Sequence, residues 1–282
     1  MNFLSQYPFL MLNILIWVAV LPVLIFRKDL RIHAAKLSIL SIPFGFTEFL
    51  FYPDYWNPPF LFDLAERIGF GIEDFMFVTG LASMSITLPP FFLKKALIKA
   101  VVVDDTKNAV TVKSPKVAIP ESSYSSMQVN SSSDVQRAEN QASEPFHKTS
   151  FFSGKRALYF GLILSVAICA IAVVTVFWGV PAIYAAIILM TPIWIIPVKY
   201  RKDLIPMALW GGFIGFIVYG LQCLIFELLL PGSFETYWHT HKLLDFYVWR
   251  IPLEELLYGS VAFASALCLY PSLFNLRWKR LQ

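Results

Sequence analysis

The stretch RIPLEELLYG, residues 250–259, decides how the chain is interpreted, because it places two carboxylates at the edge of a long apolar run. Pro252 suits the first position of a helix, since its fixed φ fits there and its missing N–H group is not needed. Glu254 and Glu255 then fall in the first turn, where free N–H groups and the helix dipole stabilise anions. We therefore expect a helix that begins here and continues through the apolar residues.

The composition predicts an all-α membrane protein. Of the 282 residues, 57% are hydrophobic, and the mean hydropathy is +0.62, whereas a soluble domain is about 45–50% apolar. A spanning helix needs about 20 mostly apolar residues. The predicted transmembrane helices are seven: 7–26, 34–52, 70–93, 156–178, 180–198, 204–230 and 250–271.

Basic residues predict the orientation of these helices in a plasma membrane. Twenty of the 23 lysines and arginines fall on one side of the predicted bilayer, and such residues collect on the cytoplasmic side. The N-terminus is therefore expected outside, with the 94–155 segment and the C-terminus in the cytoplasm. The 94–155 segment is polar and serine-rich in its middle, so we expect a flexible linker.

Three pairs of similar motifs recur in the same order. FRKDL (26–30) recurs as YRKDL (200–204), TEFLFYPDYW (47–56) has an echo in FELLLPGSFETYW (226–238), and FGIEDFMF (70–77) matches RIPLEELLY (250–258). Such matches indicate duplication of a three-helix unit. The predicted organisation is a first three-helix repeat (1–93), the cytoplasmic linker (94–155), a connector helix (156–178) and a second three-helix repeat (179–282). Both repeats have the same orientation, and sites in such proteins tend to lie at the repeat interface.

The repeat makes the acidic pairs candidates for acid–base chemistry. The candidate catalytic residues are Glu254, Glu255, Glu73 and Asp74, and the candidate supporting residues are Glu48, Glu227 and Arg250. Carboxylates that converge in a low dielectric cannot all ionise, so a protonated general acid stands beside an ionised general base. Adjacent helical residues point about 100° apart, so one carboxylate of each pair can face the bundle; the sequence does not say which. The simpler alternative is that these carboxylates only cap their helices.

For the other motifs, we expect structural roles and no part in catalysis. DYWNPP (54–59) is interpreted as an interfacial aromatic anchor, and the two RKDL segments as charges that bind anionic headgroups. Glu48 and Glu227 are expected to be buried partners of the acidic pairs, or of Arg67 or Arg250. No G-x-G-x-x-G follows a strand, and no cofactor, metal ion or nucleic acid is expected.

With both acidic motifs in view, the chain resembles the integral-membrane lycopene cyclase family, the type without flavin that occurs as paired subunits or one fused chain. The family pattern P-x-E-[ED] is matched in full by PLEE (252–255), and by GIED (71–74) apart from Gly71. The resemblance implies proton-initiated closure of a carotenoid ψ end group to a β-type ring without net redox change. It also implies a lipophilic polyene substrate held in the lipid bilayer, with other carotenoid-pathway enzymes as partners.

Three other functions stay open at this point. A cyclase-like enzyme could act on another polyprenyl substrate, because Gly71 departs from the family pattern. A membrane carrier could use the outer acidic layer to move a proton or cation. A non-catalytic scaffold of a carotenoid or quinone pathway would tolerate loss of the carboxylates.

Overall fold

The computed structural model describes residues 6–100, 169, 172–173 and 175–281, and these are mostly helical. In chain order, the elements are α1 (Pro8–Phe26), α2 (Lys28–Gly45), α3 (Leu64–Ile68), α4 (Ile72–Phe92), β1 (Lys95–Lys99), α5 (Ala182–Tyr200), α6 (Ile205–Leu229), α7 (Ser233–Tyr237), β2 (Tyr247–Val248), β3 (Ile251–Pro252), α8 (Leu253–Leu273) and β4 (Leu276–Arg280). Most of the predicted linker and of the predicted connector helix lies outside the described residues.

Several apolar helices identify a membrane protein. Within the described residues, the helices long and apolar enough to cross a bilayer are Pro8–Phe26, Ile72–Phe92, Ala182–Tyr200, Lys202–Leu229 and Leu253–Leu273. A helix of 21 residues, such as α4 or α8, extends about 31 Å, which matches the hydrocarbon thickness of about 30 Å. Large apolar side chains, including Leu209 and Phe213 of α6, are exposed on the outer faces, where lipid would cover them.

The second helix of the structure has different bounds from the predicted span 34–52. Helix α2 begins earlier, at Lys28, and ends at Gly45, where the 3-10 turn Phe46–Leu50 continues the chain. Its first half carries several charged side chains, so α2 lacks the composition of the five apolar helices. Seven transmembrane helices therefore stay a prediction.

Helices α6 and α8 cross closely because glycines lie between them. A Cβ atom added to Gly215 would lie 2.6 Å from the Phe263 ring, and one added to Gly259 would lie 2.6 Å from the Tyr219 ring. Small residues of this kind let helix backbones approach in membranes. The close crossing brings Tyr219 of α6 to the first turns of α8.

The start of the predicted linker contacts the second predicted repeat through a strand pair that the sequence did not predict. Strand β1, placed in the flexible linker by the sequence, pairs antiparallel with β4, and Leu97 lies opposite Trp278 at the centre. These two residues are 181 positions apart, the same offset that separates Glu73 from Glu254. The duplication stays a prediction, and Leu97 lies just beyond the end of its first predicted unit.

Two arginines hold the ends of these strands. Arg27 Nη2 bonds to Asp29 at 2.7 Å and donates to the Lys95 carbonyl at 2.7 Å. Arg201 Nη2 bonds to Asp203 at 2.8 Å and donates to the Leu276 carbonyl at 2.8 Å. The interpretation of both RKDL segments as headgroup-binding charges is therefore wrong for their arginines, which join helix ends to strands.

Candidate active site

A large apolar cavity lies between α2, α4, α5 and α8. It has a volume of about 200 Å³, and residues from all four helices line it. Many of them are small, among them Ala82, Ala185, Ala186, Ala262 and Ala266. Apolar lining of this kind is typical of sites that bind lipophilic organic ligands.

A smaller cavity of about 60 Å³ adjoins the large one and is acidic. The two share the walls formed by Phe44, Thr47, Phe51, Val78 and Tyr258. The carboxyl groups that line the smaller cavity belong to Glu48, Asp74 and Glu255. We call this smaller cavity the acidic pocket.

Each acidic pair sits in the first turn of its helix, as predicted. Gly71 is the N-cap of α4 and Pro252 the N-cap of α8, so Pro252 lies one position before the predicted one. Both pairs therefore occupy the second and third helical positions, where the free N–H groups of the helix stabilise anions. The two helix starts are built alike.

The second member of each pair faces the acidic pocket. Asp74 and Glu255 line it, whereas Glu73 and Glu254 do not. The angle of about 100° between adjacent helical residues explains the difference.

Three donors surround the carboxyl group of Glu255. The Tyr55 hydroxyl donates to Oε1 at 2.5 Å, the Trp238 indole N–H donates to Oε1 at 2.8 Å, and the Tyr219 hydroxyl donates to Oε2 at 3.0 Å. Burial raises the pKa of Tyr55 well above its usual range, and the Glu255 carboxylate raises it further. Tyr55 therefore remains a hydroxyl donor at neutral pH.

Glu48 and Asp74 are the other two acidic residues of the pocket. Both are buried, and both line the acidic pocket. Glu48 accepts a hydrogen bond from the Trp56 indole, and Asp74 Oδ2 accepts one from the Gly71 N–H at 2.6 Å. Asp74 Oδ1 is buried without a hydrogen-bond partner.

Glu73 and Glu254 hold the loops that precede their helices. Glu73 Oε1 accepts the Leu61 N–H at 2.7 Å. Glu254 Oε1 accepts the Tyr184 hydroxyl at 2.6 Å and the Leu244 N–H at 2.8 Å. These contacts are structural ones outside the acidic pocket.

The remaining candidates lie elsewhere. Glu227 accepts the backbone N–H groups of Gly232 and Phe234, at 2.7 and 3.4 Å, and so fixes the start of α7. Arg250 is exposed at the turn between β2 and β3, and Arg67 contacts Asp63 on the surface. The expectation that either arginine pairs with Glu48 or Glu227 is therefore wrong, and Arg250 does not support the acidic pocket.

Aromatic residues that the sequence did not single out complete the pocket. Phe77 and Tyr258 stack with ring centroids 6.3 Å apart, and Tyr219 lies 6.4 Å from each of them. Phe77 and Tyr258 are the equivalent last residues of the recurring motifs FGIEDFMF and RIPLEELLY, a signal that could have located them, whereas no motif marks Tyr219.

Tyr55 and Trp56 were interpreted as an interfacial anchor, which is wrong, because both are buried and donate to carboxyl groups. Trp56 and Trp238 also form an antiparallel bridge between the two predicted repeats. The repetition of Tyr-Trp at 55–56 and 237–238 was the signal that could have revealed this role.

Comparison with known families matches residues 181–273 to the lycopene cyclase family. The resemblance inferred from PLEE is confirmed for this segment, which contains all of α5, α6 and α8, and Glu255. The match covers less than half of the chain. No curated protein and no solved structure matches the sequence.

Proposed function

We propose that the protein is a membrane carotenoid cyclase that closes the ψ end group of a lycopene-type polyene to a β-type ring. The observation that carries this proposal is the junction of a large apolar cavity with a pocket that holds three buried carboxyl groups. The family match to the segment that contains Glu255 supports it.

The chemistry needs only proton transfer. A carboxylic acid adds a proton to the terminal double bond, and the resulting cation closes onto the neighbouring alkene. A carboxylate then removes a proton from carbon, so the product is an isomer of the substrate. No electrons are gained or lost.

The shape of the two cavities suits this reaction. The polyene chain would lie in the apolar cavity between α2 and α5, and its end group would enter the acidic pocket. There the ring faces of Phe77, Tyr219 and Tyr258 would stabilise the cation. Burial keeps water from the cation, which water would otherwise capture as an alcohol.

The candidate residues fall into two groups, according to whether they line the acidic pocket. Asp74, Glu255 and Glu48 would contact the end group. Glu73 and Glu254 would act as positioning residues, because their contacts hold the loops that enclose the pocket. This places the acid–base work on one member of each sequence pair.

The proposal also covers the membrane in which the protein lies, its orientation there and its partner enzymes. The protein would lie in the plasma membrane with its N-terminus and the acidic helix starts outside, and with β1 and β4 in the cytoplasm. The basic residues that flank those strands support this orientation. Two three-helix units, 1–93 and 179–282, would form the pocket together, joined by the linker and connector between them. Other carotenoid-pathway enzymes would supply the polyene.

Expression in lycopene-accumulating cells tests the proposal. The expected result is conversion of lycopene to carotenes of the same mass with one or two β-rings, identified by chromatography and mass spectrometry. Unchanged lycopene, with the protein present in the membrane, would contradict a lycopene cyclase. A new product from a different polyprenyl compound would instead identify a cyclase with another substrate, and proton flux in proteoliposomes would identify a carrier.

A further inference from the structure

The carboxyl groups of the acidic pocket have unequal surroundings. Glu255 accepts hydrogen bonds from Tyr55, Trp238 and Tyr219 on its two oxygens. The indole N–H of Trp238 can only donate, so Oε1 accepts that hydrogen bond whatever the protonation state of Glu255. Several donors directed at one carboxyl group favour its ionised form.

Glu48 and Asp74 have the opposite surroundings. Like charges brought together in a low dielectric disfavour a second ionisation, so one of these two buried carboxyl groups of the same pocket keeps a proton. Each is bonded by one N–H donor, from Trp56 and from Gly71. The buried Oδ1 of Asp74 has no hydrogen-bond partner among the described residues, and Asp74 lines the pocket.

These differences assign roles that the sequence left open. We propose that the Glu48–Asp74 pair supplies the proton that starts cyclisation, and that Glu255 is the carboxylate that removes the proton at its end. This inference rests on the proposed function. Tyr55, Tyr219 and Trp238 are then positioning residues for the base, and Trp56 is one for the acid.

The proton transfers balance over one cycle. The pair gives a proton to the terminal double bond, which forms a C–H bond and leaves a cation. The π electrons of the neighbouring alkene form the C–C bond of the ring. A C–H bond next to the new cation breaks, its electrons form the ring double bond, and its proton passes to Glu255. Return of that proton across the shared pocket to the pair restores the starting state.

Chemical rescue distinguishes an acid from a base. Glu48→Ala and Glu255→Ala are reconstituted in lycopene-containing vesicles with acetate over a range of pH. We expect the rescue of Glu48→Ala to follow the protonated fraction of acetate and to rise as pH falls. Rescue of Glu255→Ala follows the ionised fraction and rises with pH. Glu227→Ala, which also loses a buried carboxyl group but lies outside the pocket, is not rescued.

The outcomes separate the two proposals. Rescue with the opposite pH dependence would overturn the assignment while leaving the cyclase proposal intact. Failure of the unmodified protein to convert lycopene would instead count against the proposed function itself.

Infrared spectroscopy gives a readout that does not need turnover. The carbonyl stretch of a protonated carboxyl group is well separated from the bands of carboxylates. We expect this band to be lost or shifted in Glu48→Gln and in Asp74→Asn, and unchanged in Glu255→Gln. If this carbonyl band is lost in Glu255→Gln and in neither of the other two variants, the assignment is overturned. This result would hold even if acetate rescues no variant.

Discussion

The Tyr55 hydroxyl donates a 2.5 Å hydrogen bond to Glu255, although the two residues are 200 positions apart in the chain. Tyr55 belongs to the first predicted repeat and Glu255 to the second. The proposed base is therefore surrounded by donors from both units, and neither unit alone contains the whole acidic pocket. The family match is confined to residues 181–273, and this contact joins that segment to the first half of the chain.

Removal of that hydroxyl group should impair the base. In Tyr55→Phe, Glu255 loses one of its three donors, and a hydrogen bond to a charged group contributes about 1.5–3 kcal/mol. We expect the rate of lycopene conversion to fall by at least about tenfold, as measured by pigment chromatography at equal protein levels. The matched control is Tyr237→Phe, which changes the corresponding tyrosine of the second predicted repeat, and its rate should stay near that of the unmodified protein. Equal rates for both variants would contradict this role of Tyr55.

Filling the apolar cavity should block the polyene without touching the carboxyl groups. Ala185 of α5 is buried and lines the cavity, so Ala185→Phe places a ring where the substrate chain would lie. We expect a loss of conversion of about tenfold or more, since reaction requires a correctly placed end group. Ile188→Phe lies on the same helix at a position that is 63% exposed, and it should remain active. Full activity of Ala185→Phe would mean that the polyene does not use this cavity.

The close crossing of α6 and α8 should be sensitive to a single methyl group. In Gly259→Ala the new Cβ atom would lie 2.6 Å from Tyr219, and relief of such overpacking costs about 1–3 kcal/mol. Tyr219 would also move away from Glu255. We expect a lower unfolding temperature in detergent together with slower conversion. In Gly212→Ala the nearest contact of the new Cβ atom would be Ser260 Oγ at 3.3 Å, so this variant should lose less stability. A lower unfolding temperature for Gly212→Ala than for Gly259→Ala would contradict this packing.

The pairing of β1 with β4 can be tested by cross-linking. Ala96 lies directly opposite Lys279 in the strand register, so cysteines at these two positions should form a disulfide bond under mild oxidation. The background should lack Cys169, Cys223 and Cys268. A control that pairs a cysteine at Ala96 with one at Leu281 is displaced along the strand and should cross-link less. Equal yields from both pairs would contradict the register.

The apolar helices and the acidic helix starts could be predicted from the sequence, because both depend on local composition. Apolar runs of about 20 residues predicted α1, α4, α5, α6 and α8. Glu254 and Glu255 were correctly placed in a first helical turn, since the N–H groups that stabilise them belong to the same turn.

Features that depend on distant partners could not be predicted in this way. Strand β1 is a short Lys-rich stretch whose partner, β4, lies near the other end of the chain. The choice of Asp74 and Glu255 over Glu73 and Glu254 depends on the rotation of each helix about its axis. Tyr219 reaches Glu255 only because two glycines bring α6 and α8 together.

The most direct test of the central claim compares the two adjacent glutamates of the opening motif. Glu255→Gln and Glu254→Gln each replace one carboxyl group by an amide of the same size, one inside the acidic pocket and one outside it. Conversion of lycopene is measured in vesicles with equal amounts of each protein. We predict that Glu255→Gln loses about 100-fold or more of the activity, whereas Glu254→Gln keeps most of it. Equal activity of the two variants, or a greater loss in Glu254→Gln, would contradict the claim that the acidic pocket performs the cyclisation.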